Sequence, residues 1–110
     1  MARLAIIGVG RIGGEVAYLA SALGIADELV LYDSAPDLLR AQVLDLKHTG
    51  MDISISTETG DIRDTDVCIF TAGLPRNPSI KTRADLLDAN LPAVRDCAAF
   101  LAGFSGILIT

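Results

Sequence analysis

Histidine, cysteine and positive charge are all scarce in this chain, and each shortage removes a class of chemistry. One histidine, His48, and two cysteines, Cys68 and Cys97, are spread over 110 residues, too few and too far apart for a disulfide framework or a zinc site. Both cysteines fall inside apolar segments and read as buried free thiols. His48 stands at the end of an expected helix without Cys, Asp or Glu at metal-ligand spacing, so it reads as a helix-end histidine and not as a ligand or general base. No metal is expected. Nine lysines and arginines against fourteen aspartates and glutamates leave a net charge of −5. With no polybasic tract, neither nucleic acid nor an anionic membrane is an expected partner. No apolar run is long enough to cross a bilayer and the first residues lack the pattern of a secretory signal, so a cytoplasmic location is expected.

What is present is concentrated at the start. Leu4-Ala5-Ile6-Ile7 reads as a short buried strand that runs into Gly8-Val9-Gly10-Arg11-Ile12-Gly13, a glycine turn opening a helix. In such a turn the first glycine permits the tight bend, the second lets the backbone approach a pyrophosphate, and the third lets the helix pack against the strand. The helix then offers its free N–H groups to the phosphates. A second strand, Glu28-Leu29-Val30-Leu31-Tyr32, ends in Asp33. A carboxylate there accepts hydrogen bonds from both hydroxyls of an adenine ribose and repels a 2′-phosphate, which favours NAD over NADP.

The order of the remaining segments is that of an α/β fold, a doubly wound parallel sheet of the Rossmann type with strand order 3-2-1-4-5. Expected strands cover Arg3 to Gly8, Leu29 to Asp33, Ile53 to Ser56 at an edge, Val67 to Thr71, and Gly106 to Thr110. The first helix runs from about Arg11 to Leu23, stopping at Gly24, with Ile12, Val16, Leu19 and Leu23 as its apolar stripe. A second begins at Pro36 with Leu39, Val43 and Leu46 on one face and ends at Gly50. A third carries Leu87, Leu91, Val94, Ala98 and Leu101 at helical spacing, with a kink or break expected near Asn90-Leu91 because Pro92 forfeits a backbone bond. An apolar last strand usually leads on to another crossover, so the chain is expected to be cut before a sixth strand and a further domain.

Between the fourth strand and the third helix, Leu74-Pro75-Arg76-Asn77-Pro78-Ser79-Ile80-Lys81-Thr82-Arg83 carries three cations and no acid. That places arginines outside the carboxyl end of the sheet, where they can clamp a carboxylate and polarise a neighbouring carbonyl; a solvated basic loop is the plainer alternative.

Gly8-Val9-Gly10-Arg11-Ile12-Gly13, Asp33, Leu44-Asp45-Leu46-Lys47-His48, Thr71-Ala72-Gly73-Leu74-Pro75-Arg76-Asn77-Pro78 and Thr82-Arg83-Ala84-Asp85-Leu86-Leu87-Asp88-Ala89-Asn90 together resemble the lactate/malate dehydrogenase family. The resemblance implies a substrate loop over Ala72 to Arg83, with Arg76 pairing with the distal carboxylate of malate or oxaloacetate. It implies that Arg83 binds substrate and acts in catalysis by polarising the C2 carbonyl, and that Gly73 and Asn90 contact the cofactor. Asn90 reads equally as a polar residue relieving the kink before Pro92.

Two departures stand in the loop. The spacing from Arg76 to Arg83 is one residue longer than is usual in the family, so counting back from Arg83 puts the specificity position on Asn77, nearer in chemistry to the glutamine of lactate enzymes. Ser79 replaces a usual glycine. Pro75-Arg76-Asn77-Pro78 resembles the Pro-Arg-Lys-Pro of malate enzymes and favours the Arg76 register.

The resemblance further implies that residues 1–110 are the dinucleotide-binding domain, and that the Asn-Pro pair, the C1-carboxylate arginine and the histidine–aspartate pair lie beyond Thr110. The intact protein is expected to oxidise malate with NAD, acting on a small dicarboxylate as a homo-oligomer paired through the helices after strands one and two, while this chain alone is expected to be inactive. A lactate or other 2-hydroxy-acid dehydrogenase is the near alternative. A stand-alone NAD-sensing module is an alternative of another class, against which the basic loop argues.

Overall fold

The computed structural model describes residues 2–73 and 78–110. Its elements are β1 (Ala2–Ile7), α1 (Arg11–Ala22), β2 (Ala26–Tyr32), α2 (Pro36–His48), β3 (Ser54–Ser56), a 3₁₀ turn (Thr59–Asp64), β4 (Val67–Phe70), α3 (Arg83–Phe100) and β5 (Ile107–Ile109). The five strands form one sheet in the order β3-β2-β1-β4-β5, every pair parallel. This is the expected doubly wound arrangement, with β3 at one edge and the reversal of strand order between β1 and β4.

Both faces of the sheet are covered, which is why β1 and β2 read as nearly continuous apolar runs. Leu4, Ile6, Leu29 and Leu31 point to one face and meet Ala17 and Ala20 of α1 and Leu46 of α2, with Leu39 and Val43 packed alongside, the α2 face expected from spacing. Ala5, Ile7, Val30 and Cys68 point to the other, where Ile62 of the 3₁₀ turn and Cys97 of α3 close the core. Ile6, Ile7, Leu29 and Leu31 are fully buried, each contributing roughly 1.5–3 kcal/mol of transfer free energy. Both cysteines are buried free thiols. Burial and then the nearby Cys97 push the Cys68 thiol up to about 11, and burial raises Cys97 as well. His48 is exposed as the last residue of α2.

Two helices turn a different face inward from the one their apolar spacing predicts. On α1, Ile12, Leu19 and Leu23 are 62%, 53% and 69% exposed, while Gly13, Ala17, Ala20 and Ser21 are buried. The glycine turn brings this helix so close to β1 that only small side chains fit between backbones; Val16 alone of the expected stripe packs against the core. On α3, Leu87 and Val94 are exposed and Ala98 is too, whereas Cys97 is buried with Phe100 and, alone of these from the expected stripe, Leu101 packed beside it. The expected break near Asn90-Leu91 does not form, since α3 runs unbroken through Pro92.

Smaller differences are at boundaries. β2 begins at Ala26, earlier than expected, because Ala26 and Glu28 still pair with Ala2 and Arg3. The 3₁₀ turn has no counterpart among the expected elements: its one buried side chain, Ile62, leaves no period to detect. Gly24 and Gly50 follow α1 and α2 with φ of 70° and 74°, the left-handed conformation in which glycine ends a helix. No described helix is long and apolar enough to cross a membrane.

Candidate functional site

The carboxyl ends of β1, β2 and β4 open into a cleft of about 1040 Å³ at the reversal of strand order, the place where open α/β sheets bind ligands. Its floor is the glycine turn. β1 ends at Ile7, and Gly8 bends the chain away with φ 94° while its N–H donates to Tyr32 O at 2.8 Å. A Cβ on Gly8 would strike the backbone N of Ala72, with Thr71 C only 2.8 Å away. A Cβ on Gly13 would strike the carbonyl oxygen of Gly8 and lie 2.7 Å from Thr71 Oγ1. The Thr71 hydroxyl locks this contact by donating to Gly8 O at 2.6 Å. Gly8 and Gly13 are therefore glycines because three backbone segments meet there.

Gly10 differs, since a Cβ on it would meet nothing within 4 Å and the residue borders the cleft. As the N-cap of α1 it supplies no side chain, and the first turn holds no acid. The N–H groups of Arg11, Ile12 and Gly13 thus begin a helix without a protein cap, a positive end suited to an anion.

Asp33 borders the same cleft. Its Oδ2 accepts from Val9 N–H at 3.0 Å and its Oδ1 from Ala35 N–H at 2.8 Å. Each oxygen keeps a further lone pair for a ligand hydroxyl. The carboxylate is tied to the glycine turn through the Val9 N–H.

The far wall belongs to α3, which contributes Ala89, Asn90, Pro92, Ala93 and Asp96. Asn90 faces Gly73, where a Cβ would stand 3.5 Å from Asn90 Oδ1. Arg83 is elsewhere: it is the first residue of α3, exposed, and not among the residues lining the cleft. Its helix starts on a capping box in which Thr82 Oγ1 accepts from Asp85 N–H at 3.1 Å and Asp85 Oδ2 accepts from Thr82 N–H at 3.3 Å. Arg76 and Asn77 lie outside the described residues. The structure thus brings Gly8, Gly10, Arg11, Ile12, Gly13, Asp33, Gly73 and Asn90 to one cleft, with Val9 buried beneath the turn.

Two further contacts carry no local sequence signal. Tyr32 lines the cleft with its ring edge-on to Phe100, centroids 4.7 Å apart. Burial, then Asp96, then Asp33 hold its hydroxyl above the usual tyrosine range, so it stays a neutral donor. Thr71 stands in a segment that carries the resemblance, but its hydroxyl contact with Gly8 spans a sequence separation that no local pattern reveals.

Residues 2–106 match the model of the lactate/malate dehydrogenase NAD-binding domain. The malate dehydrogenase of Pelagibacter ubique is 38% identical over 104 residues, covering 89% of this chain and 32% of that protein. Among solved structures, the minor L-lactate dehydrogenase of Enterococcus mundtii superposes with a TM-score of 0.85 at 30% identity, over 97% of this chain and 36% of its own. A Cryptosporidium parvum lactate dehydrogenase, solved with lactic acid and nicotinamide adenine dinucleotide, gives 0.80 at 29% identity over 97% and 36%. The chain spans about a third of the length of the curated relatives it matches. An uncapped helix start beside an open glycine and a carboxylate with spare lone pairs fit that dinucleotide, and the chain belongs to the lactate/malate dehydrogenase family as its NAD-binding domain.

Proposed function

We propose that the intact protein is a cytoplasmic NAD-dependent malate dehydrogenase, of which residues 1–110 are the dinucleotide-binding domain, a C-terminal domain outside this chain carrying the proton-transfer pair. The observation that carries the reading is that Thr71, Ala72 and Gly73, which the cationic stretch follows in sequence, line the cleft, and that Asn90 of α3 stands against Gly73. The name of the Pelagibacter ubique relative supports malate as the substrate.

In this reading the N–H groups of Gly10, Arg11 and Ile12 receive the pyrophosphate, Gly8, Val9 and Gly13 hold the turn, and Asp33 takes the ribose hydroxyls. Gly73 and Asn90 flank the cofactor farther along the cleft. When bound, NAD accepts the hydride that leaves C2 of the hydroxy acid. Arg76 pairs with the distal carboxylate, and Arg83 stabilises charge on the C2 oxygen. The chain by itself turns nothing over. Subunits pair through α1 and α2, which leave Tyr18, Leu19 and Leu44 exposed beside a groove of about 600 Å³.

The test uses the intact protein and steady-state kcat/KM for oxaloacetate and pyruvate. Arg76→Gln should weaken oxaloacetate reduction by about 10²-fold, because truncating one member of a buried charge pair costs roughly 2–5 kcal/mol, while pyruvate reduction holds or improves. Arg83→Gln should damage both substrates. The lactate dehydrogenases among the structural neighbours favour a second reading, a 2-hydroxy monoacid enzyme with its specificity position at Asn77. In that case Arg76→Gln leaves the oxaloacetate-to-pyruvate ratio unchanged and Asn77 substitutions move it.

A further inference from the structure

Gln42 sits on α2, outside the cleft, yet its amide reaches the glycine turn. Nε2 donates to Val9 O at 2.8 Å and stands 3.4 Å from Gly10 O. On the other side of the same residue, Val9 N–H donates to Asp33. The Val9 peptide units are therefore gripped from two elements, α2 and the end of β2. Gln42 lines the groove between α1 and α2 and not the cleft, so it draws the Val9 carbonyl oxygen toward that groove, while Gly10 O also accepts from Gly14 N–H at 2.8 Å in the first turn of α1. A carbonyl oxygen turned into the cleft would repel an anion, whereas one held away leaves the N–H groups of the turn to receive it.

A second observation is independent of these bonds. Gly14 lies beneath Gln42, and a Cβ there would strike Nε2 and stand 3.1 Å from Oε1. The position is an ordinary interior helix site with no left-handed backbone, so its lack of a side chain leaves room for the Gln42 amide.

We propose that Gln42, seated over Gly14, is a positioning residue for the pyrophosphate half of the site: it holds the Val9 carbonyl away from the cleft and touches no ligand itself. The inference rests on the assignment of the cleft to NAD. Two variants separate positioning from mere support of the fold. Gln42→Met keeps the length and apolar stem but removes the donor. Gly14→Ala keeps Gln42, pushes its flexible amide off the turn, and gains helix propensity.

The experiment titrates NAD, ADP and adenosine into the 110-residue chain and both variants, with thermal denaturation alongside. NAD and ADP affinities should fall about tenfold in each variant, the effect of one lost hydrogen bond on a group that orients a ligand donor. Adenosine, which has no phosphate, should bind as to wild type, and Gly14→Ala should melt at or above the wild-type temperature. Should Gln42→Met not fold, Gly14→Ala decides. A parallel loss of adenosine affinity, or unchanged NAD and ADP affinities, overturns the inference. A wild-type chain that binds none of the three overturns the cofactor assignment with it.

Discussion

Gly8→Ala should lose a large part of the fold's stability, about 4 kcal/mol, whereas Gly10→Ala should leave stability nearly unchanged and abolish NAD binding. At Gly8 two costs combine. A non-glycine residue at φ 94° is strained by roughly 1–3 kcal/mol, and its Cβ collides with the Thr71–Ala72 backbone, which cannot move without pulling β4 off β1; overpacking of that kind costs roughly 1–3 kcal/mol or more. A small domain has only about 5–15 kcal/mol in total. At Gly10 φ is −69°, a value open to any residue, and an added methyl meets no protein atom. The methyl instead takes the space of the phosphate. Chemical denaturation and NAD titration of the two variants check both halves. Equal destabilisation would show that Gly10 is an ordinary packing glycine.

Asp33→Ser should shift the NADP-to-NAD affinity ratio by about 10²-fold toward NADP. Removing the carboxylate removes its repulsion of a 2′-phosphate, a like-charge contact worth several kcal/mol, and removes the acceptor for the ribose hydroxyls. Absolute NAD affinity should fall further than the ribose contacts alone account for, because Asp33 also accepts from Val9 N–H and so steadies the phosphate turn. Serine can restore one acceptor but not two. Competition titrations with NAD and NADP on wild type and variant give the ratio. An unchanged ratio, or a wild type that binds both equally, would remove Asp33 from cofactor selection.

The parts of this structure legible in the sequence are those encoded by short-range pattern. The glycine turn, the acid at the end of β2 and the strand order follow from local periodicity and spacing, and the structure has them where expected. The inward face of α1 was illegible because the rule that bulky apolar residues point inward fails where backbones touch. Gly13, Ala17 and Ala20 make the contact, and the leucines they displace lie outside. Pro92 did not break α3, since a proline forfeits one backbone hydrogen bond of a helix that is 18 residues long. The Thr71 and Gln42 contacts with the glycine turn cross long sequence separations, which no local pattern encodes.

These binding expectations all depend on NAD entering the cleft at the glycine turn. Backbone amide shifts of the 110-residue chain, followed by NMR as NAD is added, test it most directly. The account predicts saturable, weak binding with the largest shifts at Gly8, Gly10, Arg11, Ile12, Gly13 and Asp33, and much smaller effects from NADP at equal concentration. Shifts confined to the groove between α1 and α2, or no saturable shifts at all, would contradict it.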